Sequence, residues 1–352
     1  MTSSRMIRIG IIGAGLMART YAETLAKYVQ GCQLVAIAVG ARASQLAHDY
    51  GVAHEPSLES LAARPDVDGV ILTTPDQVRV EQARVLAQAH KHLLVEKPMA
   101  PDVAQCDALI NICREAGVLL MQVQSQRYRA IHQRMKQLLN EGRIGRVWMV
   151  RVESMLAAKW SDDVLRARPF YLDPMGSNLL TSQIVHNFDM MRWVAGSNAT
   201  RIFAHTQAYN PSFPTPLSIQ AQVMFANSVS GQLWVCMETP NATFPNSTFH
   251  TQVIGAQGLM DFDGYTHLDV SLPDGQWERV AVQEPFDSLN PVDPVRLRSF
   301  TAQNQEFVDA IREQRAPAVT GADGRAAVEL AQAAFLSSRT GQVVSLPLQH
   351  NQ

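Results

Sequence analysis

The sequence has no excess of either charge: 30 Lys and Arg stand against 32 Asp and Glu, a net charge of −2. A nucleic-acid or anionic-membrane partner calls for a basic stripe or a high net charge, so neither partner is expected. Also missing is any apolar run near the roughly 18 residues that a membrane-spanning helix needs. The opening Met1-Thr2-Ser3-Ser4-Arg5-Met6 runs straight into a strand pattern, without the apolar core and small-residue cleavage site of a secretory leader. Cysteine is scarce, and Cys32, Cys106, Cys113 and Cys236 show no C-x-x-C spacing. Cys106 and Cys113 share a helix face and read as small buried hydrophobes. Free thiols without a leader point to the cytoplasm, and no metal site is expected. There is no internal repeat, low-complexity segment or long charge run.

What is present is a chain of 352 residues, long enough for two domains with sizeable cores. The first third alternates apolar runs with helical stretches. Strands are expected at 7–12, 33–39, 67–73, 92–95 and 118–123, and helices at 17–28, 44–50, 77–89 and 101–116. Apolar strands without polar alternation, each followed by a helix, mean a parallel sheet covered on both faces. Residues 1–124 therefore read as a Rossmann doubly wound domain. After about residue 125 the rhythm changes. Helices at 131–141 and 177–194 and a strand at 147–152 precede a succession of strands at 200–208, 219–226, 231–237, 250–254, 259–263 and 268–272. Two helices, 300–313 and 324–340, close the chain. Residues 125–352 read as an α+β domain with an open, mostly antiparallel sheet for substrate binding and oligomerisation, its C-terminal helices able to pack back on the first domain. Val223, Phe225, Leu233 and Val235 are expected to leave apolar positions exposed, so that the sheet pairs in a homodimer or homotetramer.

Gly13-Ala14-Gly15-Leu16-Met17-Ala18 follows the first strand and opens the first helix, the context that the dinucleotide fingerprint requires. Gly13 permits the tight turn, and Gly15 lets backbone N–H groups approach a pyrophosphate at the helix N-terminus. The second strand ends in Val39-Gly40-Ala41-Arg42 without the carboxylate that commonly meets an NAD ribose. An acidic group there would repel a 2′-phosphate, whereas Arg42 could hold one, so NADP(H) is favoured over NAD(H).

Lys97 ends the apolar run His92-Leu93-Leu94-Val95 and is held out of helix by Pro98. A lysine at a strand end can shift its pKa and hydrogen-bond a reacting hydroxyl. Downstream lies His186-Asn187-Phe188-Asp189. With the Gly13 loop, Glu96-Lys97-Pro98, Thr74-Pro75-Asp76, Arg127, Gly142-Arg143-Ile144-Gly145 and the closing Gly341-Gln342-Val343-Val344-Ser345-Leu346-Pro347, the sequence resembles the Gfo/Idh/MocA oxidoreductase family over essentially its whole length. That resemblance implies that Thr74, Pro75 and Glu96 line the cofactor with Gly13, Gly15, Leu16 and Met17; the bond preceding Pro98 is often cis in such proteins. It implies that Lys97 contacts the reacting hydroxyl beside the nicotinamide and that His186 accepts the hydroxyl proton as hydride leaves carbon. Asp189, one turn on and on the same face, would meet the substrate or orient His186. The expected activity is hydride transfer between NAD(P) and a secondary hydroxyl or ketone of a sugar or cyclitol.

The sequence departs from the family in one consequential place. Many members carry an aspartate four residues before the histidine; here it is Ser182, which can hydrogen-bond but carries no charge. Arg79, where histidine is frequent, and His90, where glycine is usual, are expected to be peripheral. The Ser182-Gln183-x-x-His186 form resembles a branch that includes phthalate dihydrodiol dehydrogenase-like proteins. In that branch's manner Arg166 and Arg168, with Arg127, could grip a substrate carboxylate, and Trp160 and Tyr171 could stack on a ring. Dehydrogenation of a cis-dihydrodiol or hydroxylated aromatic acid is thus an alternative expectation. A non-catalytic NAD(P)-sensing protein is another.

Overall fold

The computed structural model describes residues 5–157, 178–211, 213–240, 243–271 and 274–348. In chain order these form β1 (Ile7–Ile12), α1 (Leu16–Lys27), β2 (Cys32–Ala38), α2 (Ala43–Tyr50), β3 (Ala53–Glu55), α3 (Leu58–Ala62), β4 (Gly69–Leu72), α4 (Arg79–Gln88), β5 (His92–Val95), α5 (Val103–Glu115) and β6 (Leu120–Gln122). There follow α6 (Ala130–Asn140), β7 (Val147–Ala157), α7 (Leu179–Ala195), β8 (Ala199–Gln207), β9 (Ser218–Phe225), β10 (Ser230–Thr239), β11 (His250–Gly255), β12 (Leu259–Asp263), β13 (His267–Ser271) and β14 (Trp277–Val282). The last elements are α8 (Pro294–Glu313), α9 (Gly321–Thr340) and β15 (Val344–Ser345). The chain divides into two compact units, Met1–Tyr128 with Phe286–Arg325, and Arg129–Pro285 with Ala326–Gln352.

The first unit is built on a six-stranded parallel sheet in the order β3-β2-β1-β4-β5-β6. Ile9, Ile11, Ile12, Val70, Ile71, Leu72, Leu93, Leu94 and Val95 are fully buried, which is why these short runs carry no polar alternation. The strand order reverses between β1 and β4, and there the carboxyl ends of the strands open a crevice. Ser57 and Asp102 cap α3 and α5 by accepting the Ser60 and Gln105 N–H groups. α8 belongs to this unit although it lies far along the chain. Its Phe307 and Val308 are buried in the Rossmann core, and Phe300 meets Tyr21 edge-on with ring centroids 5.9 Å apart. The Arg296 guanidinium donates to Thr20 Oγ1 at 2.8 Å and the Asn304 amide to Thr24 Oγ1 at 2.6 Å, so α8 is tied to α1 along its length.

The second unit carries a nine-stranded sheet in the order β14-β13-β12-β11-β7-β10-β9-β8-β15. β7 and β10 pair in parallel and the other neighbours antiparallel. α7 packs on one face, close enough that a Cβ on Gly231 would lie 2.4 Å from the Met191 sulfur. The register Val223↔Gly231 and Leu233↔Ala221 puts Val223, Phe225, Leu233 and Val235 on this covered face, and all four are buried. The expectation that they are exposed is therefore wrong. The solvent face consists of their alternates: Gln222, Gln232 and Arg151 in one row, and Met149 opposite Ile254 in the next.

On that outer face both nitrogens of His250 meet carboxylates, Nδ1 with Glu153 at 2.8 Å and Nε2 with Asp261 at 3.0 Å. Burial pulls the His250 pKa down, but the hydrogen bonds to Asp261 and Glu153 outweigh it and raise it to about 9. An unfolded histidine titrates near 6.5, so the stabilisation is fully present below about pH 6.5 and is lost as pH rises toward 9. After solvent screening the effect is about 1–2 kcal/mol. A His250→Gln variant should melt below the parent at pH 6 and with it at pH 9; an equal difference at both pH values would refute the assignment.

Candidate active site

The Gly13 loop leaves β1 at the point of strand-order reversal. Gly13 has φ +110°, and a Cβ there would lie 2.2 Å from Thr73 Oγ1, so only glycine fits both the dihedral and the space. Its N–H donates to Ala38 O at 2.9 Å, and Thr73 N–H donates to Ile12 O at 2.9 Å, which closes the loop against β2 and β4. Gly15 is the N-cap of α1, and nothing lies within 4 Å of where its Cβ would point. The first turn of α1, with Leu16 and Met17, thus presents backbone N–H groups to open space, the arrangement that receives a pyrophosphate. Gly40 has φ +113° and a Cβ there would meet Ala14 N and Cβ at 3.2 Å, so the turn after β2 rests against the glycine loop. Arg42, two residues on, is exposed at the N-cap of α2. These residues fit a dinucleotide.

Thr74, Pro75, Glu96 and Lys97 follow the carboxyl ends of β4 and β5, on the same edge of the sheet as the Gly13 loop. Glu96 is buried; one of its oxygens accepts the Tyr21 hydroxyl and the other the Lys97 N–H at 2.9 Å. The Lys97–Pro98 bond is cis. Burial, and next the positive charge of Arg79, lower the Lys97 pKa below that of an ordinary lysine, against the opposing pull of Glu96 and Asp76. Arg79 is not peripheral. It is 4% exposed; its Nε and Nη2 donate to Thr74 O at 2.9 and 2.6 Å, and its Nη1 donates to both Glu96 O and Pro98 O. His90, by contrast, is exposed on the turn before β5 with φ +55°, a position that suits glycine.

Sequence reasoning thus missed Tyr21, Asp76 and Arg79 as parts of this centre. Tyr21 carried a signal, since a tyrosine on the buried face of a helix needs a hydroxyl partner. Asp76 was marked only by its place in Thr74-Pro75-Asp76 and Arg79 only as a departure from the family's histidine, and neither mark showed burial, because a charged pair opening a helix ordinarily faces solvent. Arg127, on a single 3-10 turn after β6, is buried and its Nη2 lies 3.2 Å from Asp323, which in turn accepts from Thr320 N and Oγ1.

In the second unit α7 begins at Asn178, whose side chain accepts the Thr181 N–H at 2.9 Å, and it ends at Gly196 with φ +63°. Ser182, His186 and Asp189 share one face of this helix; His186 and Asp189 are buried and Ser182 is half-buried. Gln183 and Asn187 lie about 100° further round. Gln183 donates to Asn187 Oδ1 at 3.2 Å and to Ser154 Oγ at 3.4 Å, and Asn187 donates to Ser154 Oγ at 2.9 Å, which fixes the rotation of α7 on β7. Trp160, Arg166, Arg168 and Tyr171 lie outside the described residues. Among the described residues no group of His, Cys, Asp and Glu is placed to hold a metal, and no helix is long and apolar enough to cross a membrane.

A parallel doubly wound sheet with a glycine cradle at its switch point, joined to a unit built on a large open sheet, defines a two-domain nicotinamide-dependent oxidoreductase. The chain belongs to the Gfo/Idh/MocA oxidoreductase family: residues 7–124 match its NAD-binding Rossmann domain and residues 132–261 its C-terminal domain. It is 25% identical over 345 residues to the myo-inositol 2-dehydrogenase of Thermotoga maritima, covering 97% of this chain and 98% of the relative. It is 26% identical over 349 residues to the 1,5-anhydro-D-fructose reductase of Ensifer adhaerens, covering 97% and 99%. Among solved structures, an oxidoreductase from Agrobacterium radiobacter in complex with NAD+, L-tartaric acid and magnesium superposes with a TM-score of 0.85 at 21% identity, covering 97% of this chain and 98% of that one.

Proposed function

We propose that the protein is an NAD(P)-dependent dehydrogenase that oxidises a secondary hydroxyl of a sugar or cyclitol, or reduces the corresponding ketone. The observation that carries this reading is the juxtaposition, on one sheet edge, of a glycine cradle open toward a pyrophosphate and a lysine held rigidly at the end of β5. The relatives named for a cyclitol and an anhydro sugar supply the substrate class. Oxidation takes hydride from carbon and a proton from oxygen, and the bound nicotinamide would accept the hydride. Lys97 donates an N–H to the substrate oxygen and polarises it, His186 takes the hydroxyl proton, and Asp189 orients His186 or a neighbouring hydroxyl. The test is a panel of cyclitols, aldoses and anhydro sugars followed by NADH and NADPH absorbance. Nucleotide binding with no absorbance change across the whole panel would overturn the catalytic reading in favour of a sensor.

We further propose that NADP(H) is favoured, because Arg42 sits exposed just beyond a turn that rests on the glycine loop, and residues 39–42 offer no carboxylate. The Agrobacterium radiobacter neighbour was solved with NAD+, so the preference has to be measured. Arg42→Ala should weaken NADPH about tenfold and leave NADH nearly unchanged; a variant with the parent's preference would remove Arg42 from that role. Four free thiols accord with a cytoplasmic enzyme. The outer face of the second unit's sheet, with Phe203 46%, Met149 50% and Ile254 40% exposed, supports a homodimer or homotetramer. Sedimentation of a monomer at micromolar concentration would sink that assembly.

A further inference from the structure

We propose that Arg79 is a positioning residue for Lys97: its buried guanidinium, tied to the carbonyl oxygens of Thr74, Glu96 and Pro98, fixes the turn that presents the Lys97 amine and sets a second positive charge beside it. This rests on the reading of Lys97 as the group that meets the substrate oxygen. A guanidinium suits the task because its planar fork spreads donors over three nitrogens and reaches three carbonyls at once, whereas a histidine has two donors at most and a lysine's three radiate from a single nitrogen. The three carbonyls belong to the segments after β4 and β5, so one side chain clamps together two of the loops that line the nucleotide crevice. Among the described residues no carboxylate is hydrogen-bonded to Arg79; its partners there are neutral carbonyls, and its charge is left to act on its surroundings.

Among the described residues, the charges that act on the Lys97 amine include Glu96 from its own turn, and Asp76 and Arg79 from the segment after β4. Tyr21 of α1 acts on Glu96 and Arg79. Asp76 is buried, and its Oδ2 has no hydrogen-bond partner among the described residues. Burial raises the Asp76 pKa, and Arg79 opposes that shift. Arg79 and Asp76 thus push Lys97 in opposite directions, the first favouring the neutral amine and the second the ammonium.

The first arm of the test reads Lys97 directly and needs no substrate; the second follows turnover on the substrate that the cyclitol and sugar panel identifies. The protein is labelled with trace acetic anhydride across a pH series, and the acetylation of the Lys97 peptide is followed by mass spectrometry. The parent midpoint should lie below that of a free lysine, about 10.4. Arg79→Gln should raise the midpoint by about half a unit or more, and Asp76→Asn should lower it. Arg79→Lys keeps the charge and gives up the fork, so its midpoint should stay with the parent while turnover falls about ten- to a hundredfold. A parent midpoint at or above the free value, or an Arg79→Gln midpoint equal to the parent's, overturns the proposal. If Arg79→Gln does not fold, the parent midpoint and Arg79→Lys decide, and full turnover in Arg79→Lys overturns it. Failure of the catalytic reading is a separate result: Lys97→Met would keep turnover while the midpoints still moved.

Discussion

Replacing Lys97 by methionine is expected to lower kcat by about 10²–10⁴-fold, the range a positioned proton-donating group contributes. Affinity for the dinucleotide should hold, because the groups that receive a pyrophosphate are the backbone N–H groups after Gly13 and Gly15, which the substitution leaves alone. Stability supplies the discriminating readout. Burial depresses the Lys97 pKa in the folded state, so the folded protein holds that charge less readily than the unfolded chain does. The sign is definite: the penalty is present below the folded-state value and fades as pH rises from there to the unfolded value. Methionine fills a similar volume without the charge, so the melting temperature at pH 7 should be equal to or above the parent's. Lost turnover with unchanged or raised stability marks a residue kept for chemistry. Lost turnover with a large drop in melting temperature would instead mark Lys97 as structural, and retained turnover would remove it from the mechanism. Activity that requires the ammonium should also fall on the alkaline side, at a pH below the ordinary lysine value of about 10.4.

The strand that carries Lys97 was legible because His92-Leu93-Leu94-Val95 is apolar throughout and closed by a proline, and it forms over those same residues as β5. The neighbouring β3 was not legible. Ala53–Glu55 is a three-residue edge strand with partly exposed side chains, too short to show a period. β14 escaped for a similar reason, since Trp277–Val282 is exposed or half-buried at every position. The inner and outer faces of β9 and β10 were exchanged because alternation reveals two faces without saying which one a helix covers. The close approach of Met191 to Gly231 and the burial of Val223, Phe225, Leu233 and Val235 decide it. Arg79 shows the deeper limit. Its role depends on carbonyl oxygens from two loops converging on one point, and carbonyl directions leave no mark on a residue pattern.

His186→Asn is expected to cost a comparable factor, about 10²–10⁴ in kcat, and to change the shape of the pH profile as well as its height. α7 is pinned in rotation by the bonds from Gln183 and Asn187 to Ser154 and started by the Asn178 cap, so removing one imidazole leaves the helix where it is. If His186 takes the hydroxyl proton, the parent's oxidation rate needs the neutral ring and should fall on the acid side; the asparagine variant should lose that limb. Ser182 gives the sharper control. It lies one turn before His186 on the same face, and an aspartate there would favour the imidazolium, as a nearby opposite charge does. Ser182→Asp should therefore move the acid limb to higher pH, so that oxidation at pH 6 falls while oxidation at pH 9 is nearly retained. An acid limb that stays in place in Ser182→Asp and survives in His186→Asn would mean that another group accepts the proton.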